Sequence, residues 1–272
     1  MILINGKTED RIDIADRGLQ YGDGVFETIA YRNGIAEFLE QHLQRLQLGC
    51  KTLSINFEQI DTLRFEIDSV CEHLNHDNAV IKVIVTRGTG SRGYFSLNDS
   101  EPTRIISTHP FPKYPERHQT EGVYLRFCSQ TLSSNRKLAG IKHLNRLEQV
   151  IARNEWDDPE IAEGIMSDPD ENIIECTMSN IFIVESGSLY TPAIIEAGIA
   201  GVMRAQIIQL ASRSGISVEE HPISRKALAA AEEVFVCNSI IGIWPVHSIS
   251  NKHYPIGFIT KFLQKSLAET AK

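Results

Sequence analysis

The sequence predicts a two-lobed protein of mixed α+β/α/β class. Strand-like and helix-like segments alternate along the whole chain, its 272 residues favour two lobes at roughly 150 residues per domain, and a proline-rich stretch divides it. That stretch, Pro110 to Gly122, holds three prolines, several charges and little apolar periodicity, as an exposed connection does. The predicted boundaries are a small N-terminal α/β lobe over 1–110, a connecting segment over 111–122 and a larger C-terminal lobe over 123–272.

Taken in order, Ile2 to Ile4 and Gly24 to Tyr31 read as strands. Phe38 to Leu53 sets Leu39, Leu43, Leu46, Cys50 and Leu53 at helical spacing, a stripe that faces a core. Ala79 to Thr86, AVIKVIVT, is rich in β-branched residues and too short for a typical helix, so it reads as a strand. A glycine-rich loop follows, and Arg104 to Thr108 returns as a strand. In the second lobe, strands are expected at Val123 to Ser129, Gly164 to Ser167, Ile181 to Glu185 and Glu233 to Cys237, with helices at 143–156, 203–214, 224–231 and 256–270. No internal repeat interrupts this order.

Hydrophobic residues at 42% and charged residues at 23% are ordinary for a globular protein. A net charge of −8 argues against a general nucleic-acid surface, which needs a basic stripe, so an anionic ligand must be caught by a few local cations. Nowhere do 18 apolar residues follow one another, and the N-terminal MILIN has no basic region before a long apolar run; the reading is a cytoplasmic protein. Five cysteines, odd in number and without a CxxC pair, read as reduced thiols rather than a metal or redox site.

Two segments carry candidate chemistry. Arg87 to Gly93, RGTGSRG, contains a formal GxGxxG after a strand, but no helix opens after it and position 113 is a lysine rather than an acid, so a dinucleotide site fails on context. Against a dinucleotide site, Arg87 and Arg92 make better sense as carboxylate catchers, since a guanidinium fork pairs both carboxylate oxygens; on this segment alone, solvated surface arginines are the better reading. Lys142, in LAGIKHLN, stands in an apolar surround just before a helix whose Leu144, Leu147 and Ile151 form one face. Burial disfavours the ammonium and supplies the neutral amine that Schiff-base chemistry requires, although on composition and spacing alone a structural lysine reaching solvent is the favoured reading.

The run Leu138 to Val150, LAGIKHLNRLEQV, resembles the lysine segment of the fold-type IV pyridoxal-phosphate enzymes, the group that includes branched-chain and D-amino-acid aminotransferases and aminodeoxychorismate lyases. Asp16-Arg17-Gly18 with YGDGVFET (21–28), His42 to Leu46, ECTMSN (175–180) and GIAGVMR (198–204) fit the same family in the same order. The resemblance implies a two-lobed fold with the active site between the lobes, and pyridoxal 5'-phosphate as cofactor on Lys142. It implies that Arg45 binds the phosphate, together with the turn amides of Val202 and Met203 and the hydroxyl of Ser239; Arg45 lies off the apolar stripe of its helix, so its head is read as free to leave the core. Glu175 matches the acid that pairs with the pyridine nitrogen and keeps the ring an electron sink.

The substrate side, TGSRGYFSLN (89–98) and IKHLNRLEQV, resembles the lyases more closely than the aminotransferases, and Thr28 falls where the lyases carry a threonine implicated in proton transfer. The implied reaction converts 4-amino-4-deoxychorismate to 4-aminobenzoate and pyruvate in folate synthesis, with no metal. Arg92, Tyr94 and Phe26 are the implied substrate contacts, Arg92 and Tyr94 matching a carboxylate trap. An aminotransferase acting on D-amino or branched-chain amino acids is the other reading of the same scaffold. The resemblance also implies a homodimer.

Overall fold

The computed structural model describes residues 1–74, 78–90, 92–96 and 100–270. The chain forms two compact units, Met1–Pro112 with Ile141–Asn145, and Lys113–Gly140 with Arg146–Lys272.

The first unit contains β1 (Ile2–Ile4), β2 (Lys7–Thr8), α1 (Arg17–Tyr21), β3 (Gly24–Arg32), β4 (Ile35–Ala36), α2 (Leu39–Thr52), α3 (Ile60–Glu72), β5 (Asn78–Thr86) and β6 (Thr103–Pro110). Its six strands make one antiparallel sheet in the order β2-β1-β6-β5-β3-β4 among the described residues. The predicted stripe of α2 is the one that packs: Leu43, Leu46 and Cys50 join Ile29, Ile81 and Val83 in the core. Each such aliphatic contributes about 1.5–3 kcal/mol of burial. Helix α3, absent from the sequence reading, buries Leu63, Ile67 and Val70 at the same helical spacing. An antiparallel sheet also removes the dinucleotide reading, which needs a parallel βαβ unit.

Residues 141–145 are extended rather than the start of a helix. The amide of Phe26 donates to the Lys142 carbonyl at 2.9 Å, that of Leu144 donates to the Gly24 carbonyl at 3.0 Å, and Val25 bridges His143. The cause lies in β3: β5 takes one edge, but β4 covers only Tyr31 and Arg32 on the other, leaving the backbone groups near Gly24 in need of partners. The expected helix over 143–156 therefore shrinks to Leu147–Arg153, and Lys142 groups with the first unit instead of the C-terminal lobe. Gly22 fits this arrangement. At φ +65° it closes α1, a Cβ there would fall 2.7 Å from Asn145 Oδ1, and its carbonyl accepts from Asn145 Nδ2.

The second unit contains α4 (Arg117–Thr120), β7 (Val123–Phe127), α5 (Leu147–Arg153), β8 (Ile161–Ser167), β9 (Asn172–Cys176), β10 (Asn180–Glu185), β11 (Ser188–Thr191), α6 (Val202–Arg213), β12 (Val218–Glu220), β13 (Ile223–Ser224), α7 (Arg225–Ala230), β14 (Glu233–Asn238), β15 (Gly242–Ile249), β16 (Lys252–His253) and α8 (Phe258–Thr270). Its described strands form a mixed sheet in the order β12-β11-β10-β14-β15-β7-β8-β9-β13, with β16 on β15. β7 runs parallel to both β15 and β8, while β9 pairs antiparallel with β8 and β14 pairs antiparallel with β10 and β15. Trp244 is a core residue on β15, with Tyr114 and His118 edge-on at 4.8 and 4.7 Å. The apolar face of α5 does not pack inward: Leu147, Val150 and Ile151 are 74, 52 and 53% exposed. No helix among the described residues is long and apolar enough to cross a membrane, and all five cysteines are free thiols.

Candidate active site

Strand β3 alternates between two faces. Val25, Glu27 and Ile29 are buried, while Phe26 and Thr28 are half-buried. The Phe26 ring carries two ammonium groups, Lys142 Nζ at 4.4 Å from its centroid and Lys82 Nζ at 5.6 Å. Lys82 lies on β5 directly across from Thr28 and has no carboxylate partner among the described residues. The apolar surround expected of Lys142 is therefore an aromatic face shared with a second cation.

Glu27 points into the helix-covered side, where α2 meets it with two residues one turn apart. His42 Nδ1 lies 2.6 Å from Glu27 Oε2; Arg45 donates from Nε to Oε1 at 2.8 Å and from Nη2 to Oε2 at 2.5 Å. Burial alone would raise the Glu27 pKa. The Arg45 charge and the His42 and Arg45 hydrogen bonds outweigh it and bring the carboxyl down to about 2. Burial also lowers the His42 pKa, against the opposing pull of Glu27, so the imidazole is neutral near pH 7. Arg45 is thus not a head free to leave the core, as its place off the apolar stripe suggested: its side chain is 12% exposed and clamped along one edge.

The loop after β5 also differs from expectation. Arg87 is consumed structurally, with Nε and Nη2 on Asp23 at 2.7 and 3.0 Å and further bonds to the carbonyls of Leu53 and Ser54. It is not available as a carboxylate catcher. Arg17 completes the pair on Asp23 and donates to the carbonyls of Gly93 and Tyr94 at 2.8 and 3.1 Å, while the Gly93 amide donates to the Tyr21 hydroxyl. The loop backbone is held, and Arg92 and Tyr94 project outward, Tyr94 at 90% exposure. Ser91 and 97–99, part of the loop resemblance, lie outside the described residues.

In the second unit, Glu175 sits on β9 with 3% exposure rather than at the surface. Its Oε2 accepts from the Ile199 amide at 2.8 Å and its Oε1 from Gln149 Nε2 at 3.4 Å. Asn180 Nδ2 donates to the Ile199 carbonyl at 2.9 Å, so both ends of the ECTMSN segment grip the backbone of one residue. Between them the turn wraps around the fully buried Glu163, which accepts from the Met178 amide at 3.0 Å, from Ser179 Oγ at 2.6 Å and from Thr177 Oγ1. Burial raises the Glu163 pKa despite those hydrogen bonds.

The chain then runs through Gly198, at φ +89° with no room for a Cβ beside Ile174, into α6. That helix starts at Gly201 without a side-chain cap and without an acid in its first turn, and Val202 and Met203 are buried there. Uncapped amides at a helix start suit a phosphate. Ser239 stands in the turn after β14. In the first unit an amine over an aromatic ring and a clamped guanidinium, and in the second an uncapped helix start and a buried carboxylate, are each of the kind that an aldehyde-bearing, phosphorylated pyridine needs. Among the described residues no cluster of His, Cys, Asp and Glu could hold a metal ion.

Sequence reasoning passed over Glu27, His42, Lys82, Asp23 and Glu163 as individual actors. Glu27 and Lys82 had a signal: each is a charge inside a run that otherwise reads as a buried strand. The fate of Arg87 had none, because Asp23 is 64 residues away in sequence.

Taken together, this fold and these residues define a class of protein: the chain belongs to the class IV aminotransferase family, whose model matches residues 24–249. It is 36% identical to an aminodeoxychorismate lyase of Vibrio harveyi over 98% of this chain and 99% of that one. A crystal structure of 4-amino-4-deoxychorismate lyase from Pseudomonas aeruginosa superposes with a TM-score of 0.96 at 43% identity, covering 99% of this chain and 98% of that one. A branched-chain amino acid aminotransferase from Escherichia coli superposes with a TM-score of 0.89 at 26% identity, covering 98% and 93%.

Proposed function

We propose that this chain is a pyridoxal-phosphate-dependent lyase that converts 4-amino-4-deoxychorismate to 4-aminobenzoate and pyruvate, a step of folate biosynthesis. The observation that carries the reading is the pairing of Lys142 with the Phe26 ring in a chain alike, over nearly its full length, to two lyases of that name.

Lys142 Nζ would hold the cofactor, Arg45, the amides of Val202 and Met203 and the Ser239 hydroxyl would take its phosphate, and Glu175 would keep a proton on its ring nitrogen. Bound pyridoxal phosphate supplies an electron sink for the bond broken beside the substrate's amine. With the substrate bound, Lys142 Nζ would act as general base on the proton of the ring carbon that bears the substrate amine. Thr28 Oγ1 guides a proton to the methylene carbon of the departing enolpyruvyl group. Aromatisation of the ring makes the elimination strongly downhill.

The substrate carries two carboxylates. Arg92 and Tyr94 grip one, and Lys82, without a carboxylate partner among the described residues and facing the same ring as Lys142, is suited to the other. Phe26 gives the substrate ring an apolar wall. Reduced thiols support a cytoplasmic setting. The exposed face of Leu147, Val150 and Ile151 supports a homodimer.

The test is direct. Purified protein incubated with 4-amino-4-deoxychorismate should release 4-aminobenzoate and pyruvate in equal amounts. The Escherichia coli aminotransferase match favours a second reading, transamination of D-amino or branched-chain amino acids. Amino transfer to 2-oxoglutarate without 4-aminobenzoate would select it.

A further inference from the structure

We propose that Glu27, assisted by His42, is the positioning residue of the phosphate grip: its carboxylate fixes the plane of the Arg45 guanidinium and so sets the preference of this chain for a phosphorylated over an unphosphorylated cofactor. The inference rests on the reading of Arg45 as a phosphate ligand.

Three polar side chains meet where an all-apolar contact would be expected. Glu27 shares the buried face of β3 with Val25 and Ile29, each 1% exposed, and His42 on α2 is 0% exposed. Burying a carboxylate there is costly unless it is paired, and paired buried ions are seldom more stabilising than well-packed apolar residues of the same volume. Stability alone is therefore a poor reason for the arrangement, and geometry is a better one.

Arg45 offers its Nε and Nη2 edge to both Glu27 oxygens, a two-point contact that fixes the guanidinium plane as one contact could not. His42 reaches Oε2 through Nδ1, so the carboxylate itself cannot swing. A clamped fork meets a phosphate without first freezing the torsions of a long side chain. His42 and Arg45 stand three residues apart on α2, the spacing that brings both to one point on the strand beneath.

The experiment uses the full-length protein, stripped of cofactor and titrated separately with pyridoxal phosphate and with pyridoxal, following absorbance of the bound form. Glu27→Gln should weaken pyridoxal phosphate by about tenfold, the lower end of what supporting partners of metal ligands show, while leaving pyridoxal within about twofold. Equal weakening of both ligands, or of neither, overturns the proposal and leaves Glu27 a packing residue. Arg45→Gln run alongside separates the two claims. If it leaves the ratio of the two affinities unchanged, the reading of Arg45 itself fails; if it alone shifts the ratio, only the clamp fails.

Should Glu27→Gln not fold, His42→Leu and His42→Asn decide the matter. Asparagine places an amide nitrogen where Nδ1 stood, so it should restore the preference for the phosphorylated ligand that leucine loses. Identical ratios in the two variants overturn the proposal.

Discussion

Lys142 holds its ammonium 4.4 Å from the centre of the Phe26 ring while its carbonyl accepts the Phe26 amide at 2.9 Å, so one residue of β3 fixes the lysine at both backbone and side chain. A strand rather than a loop carries this contact, and a strand aims a side chain more precisely than a loop does. The same strand supplies Glu27 to the Arg45 clamp and Thr28 to the face of Lys82.

Arg87 and Arg92 stand five positions apart and should behave oppositely. Arg87→Ala removes one of the two arginines on Asp23 and leaves the carbonyls of Leu53 and Ser54 without their donor, and should destabilise the fold by about 1–3 kcal/mol, read as a loss in urea midpoint. Arg92→Ala should leave stability within about 0.5 kcal/mol and raise KM with the cofactor absorbance intact. The reverse pattern would refute both assignments.

Lys82→Met keeps the length of the side chain on Phe26 and removes the charge. It should raise KM for 4-amino-4-deoxychorismate by about tenfold with little change in melting temperature, since no ion pair is broken. An unchanged KM would remove Lys82 from the substrate side.

Glu27 links the site to acid stability. Its carboxyl is depressed from an ordinary value of 4.5 to about 2 in the folded chain. A depressed carboxyl stabilises the fold above the unfolded value and loses that contribution as pH falls through the folded one. The window therefore runs from about pH 4.5 down to about 2, and the contribution above it is on the order of 3 kcal/mol. Urea unfolding should show the wild type more stable than Glu27→Gln at pH 7, with the gap closing across that window. A gap independent of pH would contradict the ionised clamp.

The exposed stripe on α5 predicts its own outcome. Sedimentation velocity should give a dimer for the wild type and a monomer for Val150→Asp with Ile151→Asp, because a charge desolvated at an interface is costly. A wild-type monomer at micromolar concentration would contradict the dimer.

The sequence made legible whatever depends on local period and composition. The α2 stripe and the β-branched run of β5 both appear where periodicity puts them. Residues 143–145 read as a helix start because their apolar spacing continues into α5, yet the unfilled edge of β3 more than a hundred residues earlier draws them into extended pairing. Lys142, Glu175 and Arg45 were visible only through their motif contexts. Their partners depend on contacts between distant segments: Phe26 beneath the lysine, Ile199 on Glu175 and Glu27 on Arg45. Helix α3 went unread although Leu63, Ile67 and Val70 carry a helical period of their own.

The most direct test is the site of cofactor attachment. Borohydride reduction of the holoenzyme, digestion and peptide mass mapping should place a single pyridoxyl-phosphate mass on Lys142, and Lys142→Ala should abolish both the tag and 4-aminobenzoate release. A tag on Lys82 or on any other residue, or a Lys142→Ala protein that still makes 4-aminobenzoate at the wild-type rate, would contradict the account.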